Sequence, residues 1–393
     1  MESPVNSNLI SLPAEVICRI ISHVPVECHP SVSLTCRYMR ECSHVDRLWL
    51  QRCRDEYNVD DYRSWKGVSS YYQLYSKILY RYGPLLGVWL RRMGCYGGLI
   101  SIKIRDGQIF GEEYVVNPDE RSADKINVVC RPVFAITTTE NEDCIVECHT
   151  LLSESHRANI DMKIFKNGLV DKFKLNCDAK YRHIPLENND LQFLFDSLYR
   201  LWAQGELGAN YTNDTFVNEV IGIKFWTYLS WSHGFTFTRL PPINHSNVDT
   251  NISKNHLRSG YYAGTYGVHG LEIIRILYKE QTLNGTKITG DPNVPAGKIT
   301  FKAFLSNPIL IANPEHGPFL LTDDLLPSIN GIPRHALAIY HGSGQIAFEG
   351  YRLPRFINGK FIVFNQDTCG FIWLGAVISF TLFKRFDEGF LNV

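Results

Sequence analysis

The sequence predicts an α+β protein: an N-terminal three-helix module, a helical linker, and a mostly antiparallel β-barrel domain with a helical insertion. Three observations lead there. The first 57 residues carry an apolar pattern of helical period. From about residue 82 onward, short runs rich in Val, Ile, Phe, Tyr and Trp alternate with Gly, Asn, Asp and Pro, the pattern of many strands joined by turns. Few helical patterns fall between those runs, which favours a closed antiparallel sheet over a doubly wound parallel one. At 393 residues the chain exceeds the usual size of one domain. The divisions expected are 7–57 for the module, 58–82 for the linker and 83–390 for the barrel domain, with the insertion inside 144–222.

In the module, Leu12, Val16, Ile17, Ile20, Ile21 and Val24 recur at helical spacing and form one apolar stripe. Ser11 can cap the first turn, Pro13 is tolerated there because its missing N–H would have been unpaired, and Glu15 suits the positive helix end. Pro25 and Pro30 stop this helix. A second apolar set, Val32, Leu34, Met39 and Val45, leads to Leu48 and Trp49 and then to a charged run, 51–56. So small a unit buries too little surface to be comfortably stable alone and calls for a partner. In the linker, 69–81 places Tyr71, Leu74, Tyr75, Ile78 and Leu79 on one helical face.

Strands are expected at 99–104, 108–116, 126–138, 145–150, 162–165, 223–230, 235–240, 260–266, 271–278, 286–289, 298–304, 345–351, 360–365 and 371–383. Residues 191–203 and 215–220 read as the helical insertion. The stretch 307–334, dense in Pro, Asn and Asp, reads as a long mobile loop.

Forty basic residues balance forty acidic ones, so nothing electrostatic points to nucleic acid or an anionic membrane, and a protein partner is expected. No run approaches the roughly 18–20 apolar residues that span a bilayer, and the start MESPVNSNLI lacks the features of a signal peptide. Eleven cysteines, an odd number scattered along the chain, suit a reducing compartment better than a disulfide framework. A cytoplasmic location is expected, with the nucleus and centrosome as further sites. On that view the Asn-x-Ser/Thr triplets at Asn210, Asn213, Asn244, Asn251 and Asn284 are chance.

Cys148, His156, Cys177 and His183 are separated by seven, twenty and five residues. Two Cys and two His suit a tetrahedral structural zinc, but the wide middle interval is not a zinc-finger spacing, and buried free cysteines and surface histidines are common. Cys144 and His149 are rival ligands. The segment 285–297, Gly-Thr-Lys-Ile-Thr-Gly-Asp-Pro-Asn-Val-Pro-Ala-Gly, is rich in turn formers and reads either as a hairpin turn or as a loop whose backbone approaches a ligand closely.

Two resemblances sharpen these alternatives. Leu12-Pro13-Ala14-Glu15, Cys36-Arg37 and Leu48-Trp49 fall in the order of an F-box, the helical module that docks a receptor on the Skp1 adaptor of a cullin-type ubiquitin ligase. That implies contacts to Skp1 from Leu12, Pro13, Val16, Ile17, Ile20, Ile21, Val24, Val32, Leu34, Leu48 and Trp49. Thr35 departs from the Val or Ile usual in F-boxes, and the linker with Cys28 and His29 is unusual. Further on, Gly260-Tyr261-Tyr262-Ala263-Gly264-Thr265-Tyr266-Gly267-Val268-His269-Gly270-Leu271-Glu272-Ile273 and the segment 285–297, with Gly94-Cys95-Tyr96-Gly97-Gly98-Leu99, Leu240-Pro241-Pro242 and Gly370-Phe371-Ile372-Trp373-Leu374, resemble the F-box only protein 31 family from about residue 9 to 383.

The resemblance implies a non-catalytic substrate receptor, working with Skp1 and a cullin scaffold, whose barrel captures the C-terminal tails of target proteins, D-type cyclins or chains with an amidated end. It also implies one structural zinc on Cys148, His156, Cys177 and His183. The long acidic, Gln-rich insertion of some family members is absent. For tail capture the candidates are Thr265, Tyr266, His269, Lys287, Thr289, Asp291 and Asn293. Lys287 offers a positive partner for a carboxylate, Asp291 with Thr289 and Asn293 offers acceptors for a terminal amide, and Tyr266 and His269 can wall the site. Two other functions compete: a barrel that binds or transforms a small molecule, using His269, Glu272 and Asp291 as acid and base, and a Skp1-bound scaffold outside ubiquitin transfer. No nucleophile elbow, phosphate loop or open catalytic metal triad supports the enzyme.

Overall fold

The structure, a computed structural model, describes residues 9–118, 126–140, 144–149, 155–163, 169–177, 234–243, 257–266, 269, 271–313, 315–322 and 333–386. His183, the helical insertion expected at 191–203 and 215–220 and the strand expected at 223–230 lie outside these residues.

The N-terminal module consists of α1 (Ala14–Ser22), a short α2 (His29–Ser33), α3 (Arg37–Ser43) and α4 (Asp46–Tyr57). The N-cap position of α1 is Pro13, which makes no side-chain cap bond, so the helix does not start on the Ser11 cap. Its apolar stripe divides in two. Ile17 and Ile21, one turn apart, are fully buried, while Val16 and Ile20, rotated by about 100°, are 42% and 41% exposed. Trp49 anchors the inner side: its indole N–H donates to the Ser43 carbonyl at 2.8 Å, and its rings meet His29, Tyr72 and Tyr75 at centroid distances of 5.0–5.2 Å.

The linker helix begins with α5 (Tyr71–Leu74), passes through a π-helical turn (Tyr75–Leu79) and ends in α6 (Tyr80–Tyr82). Two residues cap it. Ser70 Oγ accepts the Gln73 N–H, and Asp46 Oδ1 accepts the Tyr71 N–H at 2.8 Å. Leu74, Ile78 and Leu79 are fully buried in a core that runs without interruption from Ile17 and Trp49 through the linker to Trp89 and Phe134. The module's inner face is therefore covered by its own chain rather than waiting for a partner.

The strands close into two antiparallel eight-stranded barrels where the sequence suggested one. The first comprises β1 (Gly87–Met93), β2 (Tyr96–Arg105), β3 (Gln108–Pro118), β4 (Ile126–Thr138), β5 (Cys144–Cys148), β6 (His156–Met162), β7 (Lys172–Cys177) and β8 (Gly234–Arg239), each paired with its neighbour and β8 returning to β1. The second comprises β9 (Gly260–Thr265), β10 (Leu271–Lys279), β11 (Thr282–Lys287), β12 (Ile299–Ile311), β15 (Ala338–Phe348), β16 (Arg352–Asn365), β17 (Thr368–Leu374) and β18 (Ile378–Arg385), closed by β18 on β9. A two-stranded hairpin of β13 (Phe319–Leu320) and β14 (His335–Ala336) adds Leu321 and Ala336 to the outer-face cluster around Ile339, Ile362 and Ile372. Much of the segment expected as a loop at 307–334 is thus ordered: β12 runs on to Ile311, and Ala312 donates its N–H to the Leu337 carbonyl.

Side chains alternate between the two faces of each strand. Trp89, Ile100, Phe134, Phe173 and Phe237 fill the first barrel, and Tyr262, Phe301, Phe361, Phe371 and Phe383 fill the second. The opposite faces of β1, β2, β9 and β10 meet each other. Leu90, Leu99, Tyr114, Tyr261, Ala263 and Ile273 form the apolar seam between barrels. Burial on both faces explains why β2, β9 and β10 read as continuous apolar runs rather than as alternating patterns.

Candidate functional site

The segment 288–298, between β11 and β12, is built by backbone bonds and one carboxylate. The Lys287 N–H donates to the Lys298 carbonyl and the Gly297 N–H returns to Lys287, at 2.9 and 2.7 Å. Asp291 Oδ1 accepts the N–H groups of Asn293 and Val294, each at 2.7 Å, which fixes the turn. Gly290 sits at φ +66°, and a Cβ there would collide with the backbone of Ala296 and Cys95. The tip of the β1–β2 hairpin braces the segment from the other barrel: Gly97 N–H donates to the Thr289 carbonyl at 2.5 Å and Ala296 N–H to the Cys95 carbonyl at 2.8 Å. Gly97 is required there because a side chain would strike the Ile288 carbonyl.

Lys287 is 1% exposed. Its ammonium bonds to Asp291 Oδ2, lies 2.8 Å from Glu272 Oε2 and stands 3.8 Å from the centre of the Tyr266 ring. Burial raises the Glu272 carboxyl to about 8 against the opposing pull of Lys287, while Lys287, His269 and the Val294 N–H outweigh burial and hold Asp291 below its ordinary value. One ammonium cannot fully compensate two buried carboxylates. Asp291, which also receives two backbone N–H groups, takes the larger share.

Above this cluster opens a cavity of about 490 Å³. Tyr266, His269, Lys287, Asp291 and Asn293, five of the seven tail-capture candidates, line it. Thr265 and Thr289 do not: Thr265 is exposed with its carbonyl accepting from Thr381 Oγ1, and Thr289 Oγ1 accepts the Ile273 N–H at 3.0 Å. The remaining wall comes from residues the sequence did not single out, including Thr300, Gln345, Trp373, Phe380 and Thr381. Gln345 carried a signal, as a polar residue inside a β run, and Trp373 stood in a quoted motif without a role.

Of the eleven residues expected on the adaptor face, Leu12, Val16, Ile20 and Leu34 are 36%, 42%, 41% and 74% exposed, and Pro13 is exposed too. Leu9 and Ile10, at 47% and 51%, extend that face. Val24 and Val32 are half-buried. Ile17, Ile21, Leu48 and Trp49 belong to the module's own core, at most 5% exposed, and support the face from beneath. The apolar pair Leu9-Ile10, just before the helix, was the overlooked signal.

Three of the four expected metal ligands come together. Cys148 closes β5 opposite His156, which opens β6, and Cys177 closes β7 opposite Ala158. Their ligand atoms lie within 4.8 Å of one another, with Cys148 and His156 buried. A hydrogen bond with Cys148, then burial, pushes the Cys177 thiol well up. Two thiols and an imidazole confined on three neighbouring strands fit a soft or borderline cation, which would replace the thiol protons. The rivals Cys144 and His149 stand outside this group among the described residues.

Comparison with known proteins gives two family matches. Residues 9–55 match the family described as F-box-like, and 238–388, spanning the end of the first barrel and the second, match the one described as Cyclin D1 binding domain. Among curated proteins, F-box only protein 31 of Rattus norvegicus is 27% identical, covering 99% of this chain and 87% of the relative. The Homo sapiens protein of that name is 26% identical over 99% of this chain and 85% of its own length. Protein EXECUTER 2, chloroplastic, of Arabidopsis thaliana is 32% identical over 32% of this chain and 22% of its own length. The resemblance legible in the sequence is borne out: the chain is a homologue of F-box only protein 31 over nearly its whole length, with an F-box-like segment ahead of a Cyclin D1 binding domain.

Proposed function

We propose that this protein is the substrate receptor of a Skp1-cullin-F-box ubiquitin ligase and that the second barrel's cavity holds the C-terminal end of its targets, a D-type cyclin or a chain with an amidated terminus. The observation that carries the proposal is the pairing, in one chain, of an exposed apolar row at Leu12, Val16 and Ile20 with a cavity edged by Lys287, Asp291 and Asn293. The row supplies the unsatisfied face that an adaptor helix would cover. The cavity's wall mixes aromatic and aliphatic side chains, Tyr266, Trp373 and Phe380 among them, with polar ones such as Asn293, Thr300 and Gln345, a lining that suits a peptide end. A receptor contributes geometry rather than chemistry, by holding target lysines near a charged ubiquitin carrier and raising their effective concentration. On this reading the protein is not itself an enzyme.

Asp291 holds the turn with one oxygen and Lys287 with the other, and Asn293 Nδ2 donates to the Ala347 carbonyl at 2.8 Å, so these side chains meet the chain end already oriented. With Cys148, His156 and Cys177 the same protein would hold one structural zinc, His183 being the fourth ligand. When bound, the ion would tie β5, β6 and β7 together and supply no chemistry to a substrate.

A peptide array tests the central point. The full chain, co-expressed with Skp1, is applied to synthetic ten-residue peptides and to the same peptides extended by three residues. Binding that disappears on extension is expected. Equal binding to both forms excludes capture of a chain end and favours a cyclin surface or a small molecule.

A further inference from the structure

Glu272 lies in β10 beneath the cavity, is 3% exposed and is not part of the cavity wall. Its carboxylate oxygens find no hydrogen bond of good geometry among the described residues, although Oε2 stands 2.8 Å from the Lys287 ammonium. That ammonium has three N–H donors. One bonds to Asp291, while Glu272 Oε2 at 2.8 Å and the Tyr266 ring at 3.8 Å are the ammonium's other close neighbours. Lys287, the one lysine of the cavity wall among the described residues, is therefore already engaged by an ion pair and a ring. The wall also carries acceptors: Gln345 Oε1 is buried with no hydrogen-bond partner among the described residues, while Gln345 Nε2 donates to the Tyr351 hydroxyl at 3.1 Å.

We propose that Glu272 is a positioning residue for chain-end selection: it draws the Lys287 ammonium back between two carboxyl groups, so that an arriving carboxylate must compete with Glu272 for that charge. This deepens the receptor reading and rests on it. A terminus without negative charge meets acceptors and apolar walls and gives up nothing. A carboxylate terminus has to detach Lys287 from a buried partner, which leaves that partner unpaired. The groups that act on Glu272 are Lys287 on β11, Asp291 in the turn, and Tyr266, Cys95 and Tyr96 from the elements packed around it, with His269 acting on Asp291. Raising the pH through the range where Glu272 ionises strengthens its hold on Lys287, so the competition turns further against a carboxylate.

The test uses the full chain, wild type and Glu272→Gln, against arrays of ten-residue peptides made in two forms, ending in a free carboxylate or a carboxamide. Glu272→Gln keeps the shape and removes the competing charge. At pH 9, where the Glu272 carboxyl is ionised, the variant's acid-to-amide affinity ratio is expected to exceed the wild type's about ten-fold, the scale of one charge-assisted hydrogen bond. Wild-type binding of acid-ended peptides is expected to fall between pH 7 and 9, a fall the variant lacks. An unchanged ratio in a Glu272→Gln protein that melts normally overturns the proposal. Should that variant fail to fold, the wild-type pH series decides alone: acid- and amide-ended peptides responding identically overturns it. A wild type that binds neither form refutes chain-end capture itself, which is a different failure.

Discussion

Neighbouring residues of α1 differ sharply in burial, and mutation should separate their effects. Ile17 is fully buried, so Ile17→Ala should cost about 2–5 kcal/mol of stability, read by denaturant unfolding. Val16→Ala and Ile20→Ala should change stability by less than about 1 kcal/mol while weakening Skp1 binding at least several-fold by calorimetry. Equal losses of stability in both sets would contradict the division. Periodicity made all of these residues visible but could not tell inner from outer rows, because both are apolar and adjacent on the helix. Glu272 gives a second prediction at this scale. Its folded value, about 8, lies above the unfolded one, so its contribution to stability is complete below about pH 4.5 and is lost as the pH rises through 8. The melting temperature should decline from pH 6 to 9, and Glu272→Gln should flatten the decline. The sequence offered Glu272 only as a possible acid or base, since nothing in a linear motif reveals that the ammonium of Lys287, fifteen residues on, forms an ion pair with it across the β10–β11 pair.

Among elements, β5, β6 and β7 bring Cys148, His156 and Cys177 together at one end, their ligand atoms within 4.8 Å of one another. If a structural cation sits there, chelation should lower the melting temperature by about 5–10 °C, a loss of a few kcal/mol in a domain of this size. Cys148→Ser should then melt at the chelated value and be indifferent to chelator. A chelator that leaves the wild type unchanged would count against a metal. Strands with strong apolar runs, such as β2, β4 and β10, were legible in the sequence. β7, Lys-Phe-Lys-Leu-Asn-Cys, was not: it alternates well but is short and half polar, with two lysines and an asparagine. β1 was missed because its two arginines interrupt an otherwise apolar run. One is Arg91, buried through its bond to Glu113 at 2.5 Å, which composition alone does not disclose. The run 371–383, expected as one strand, turns at 375–377 into β17 and β18.

At the scale of the molecule, a continuous core links the N-terminal module, the linker and the first barrel, and an apolar seam joins that barrel to the second. The exposed row of Leu12, Val16 and Ile20 and the cavity thus belong to one packed body, which suits the proposed receptor that works by geometry. Ile78 sits fully buried in the joint. Ile78→Ala should cost about 2–5 kcal/mol, and short of unfolding it should slow ubiquitin transfer more than it weakens peptide affinity. Loss of both in equal measure would mean that the joint serves the cavity alone. The two-barrel division was hidden from the sequence because strands of both barrels share composition and spacing, and only pairing shows that β8 returns to β1 and β18 to β9.

The most direct test of the account is ubiquitin transfer reconstituted from the full chain, Skp1, a cullin complex and a reporter ending in an array-selected tail. Modification is predicted to depend on both ends of the receptor at once: lost with Val16→Asp and Ile20→Asp together, and lost when the reporter's tail is extended by three residues. A reporter modified at the same rate with either end disabled would contradict the claim that this chain joins an adaptor to a captured terminus.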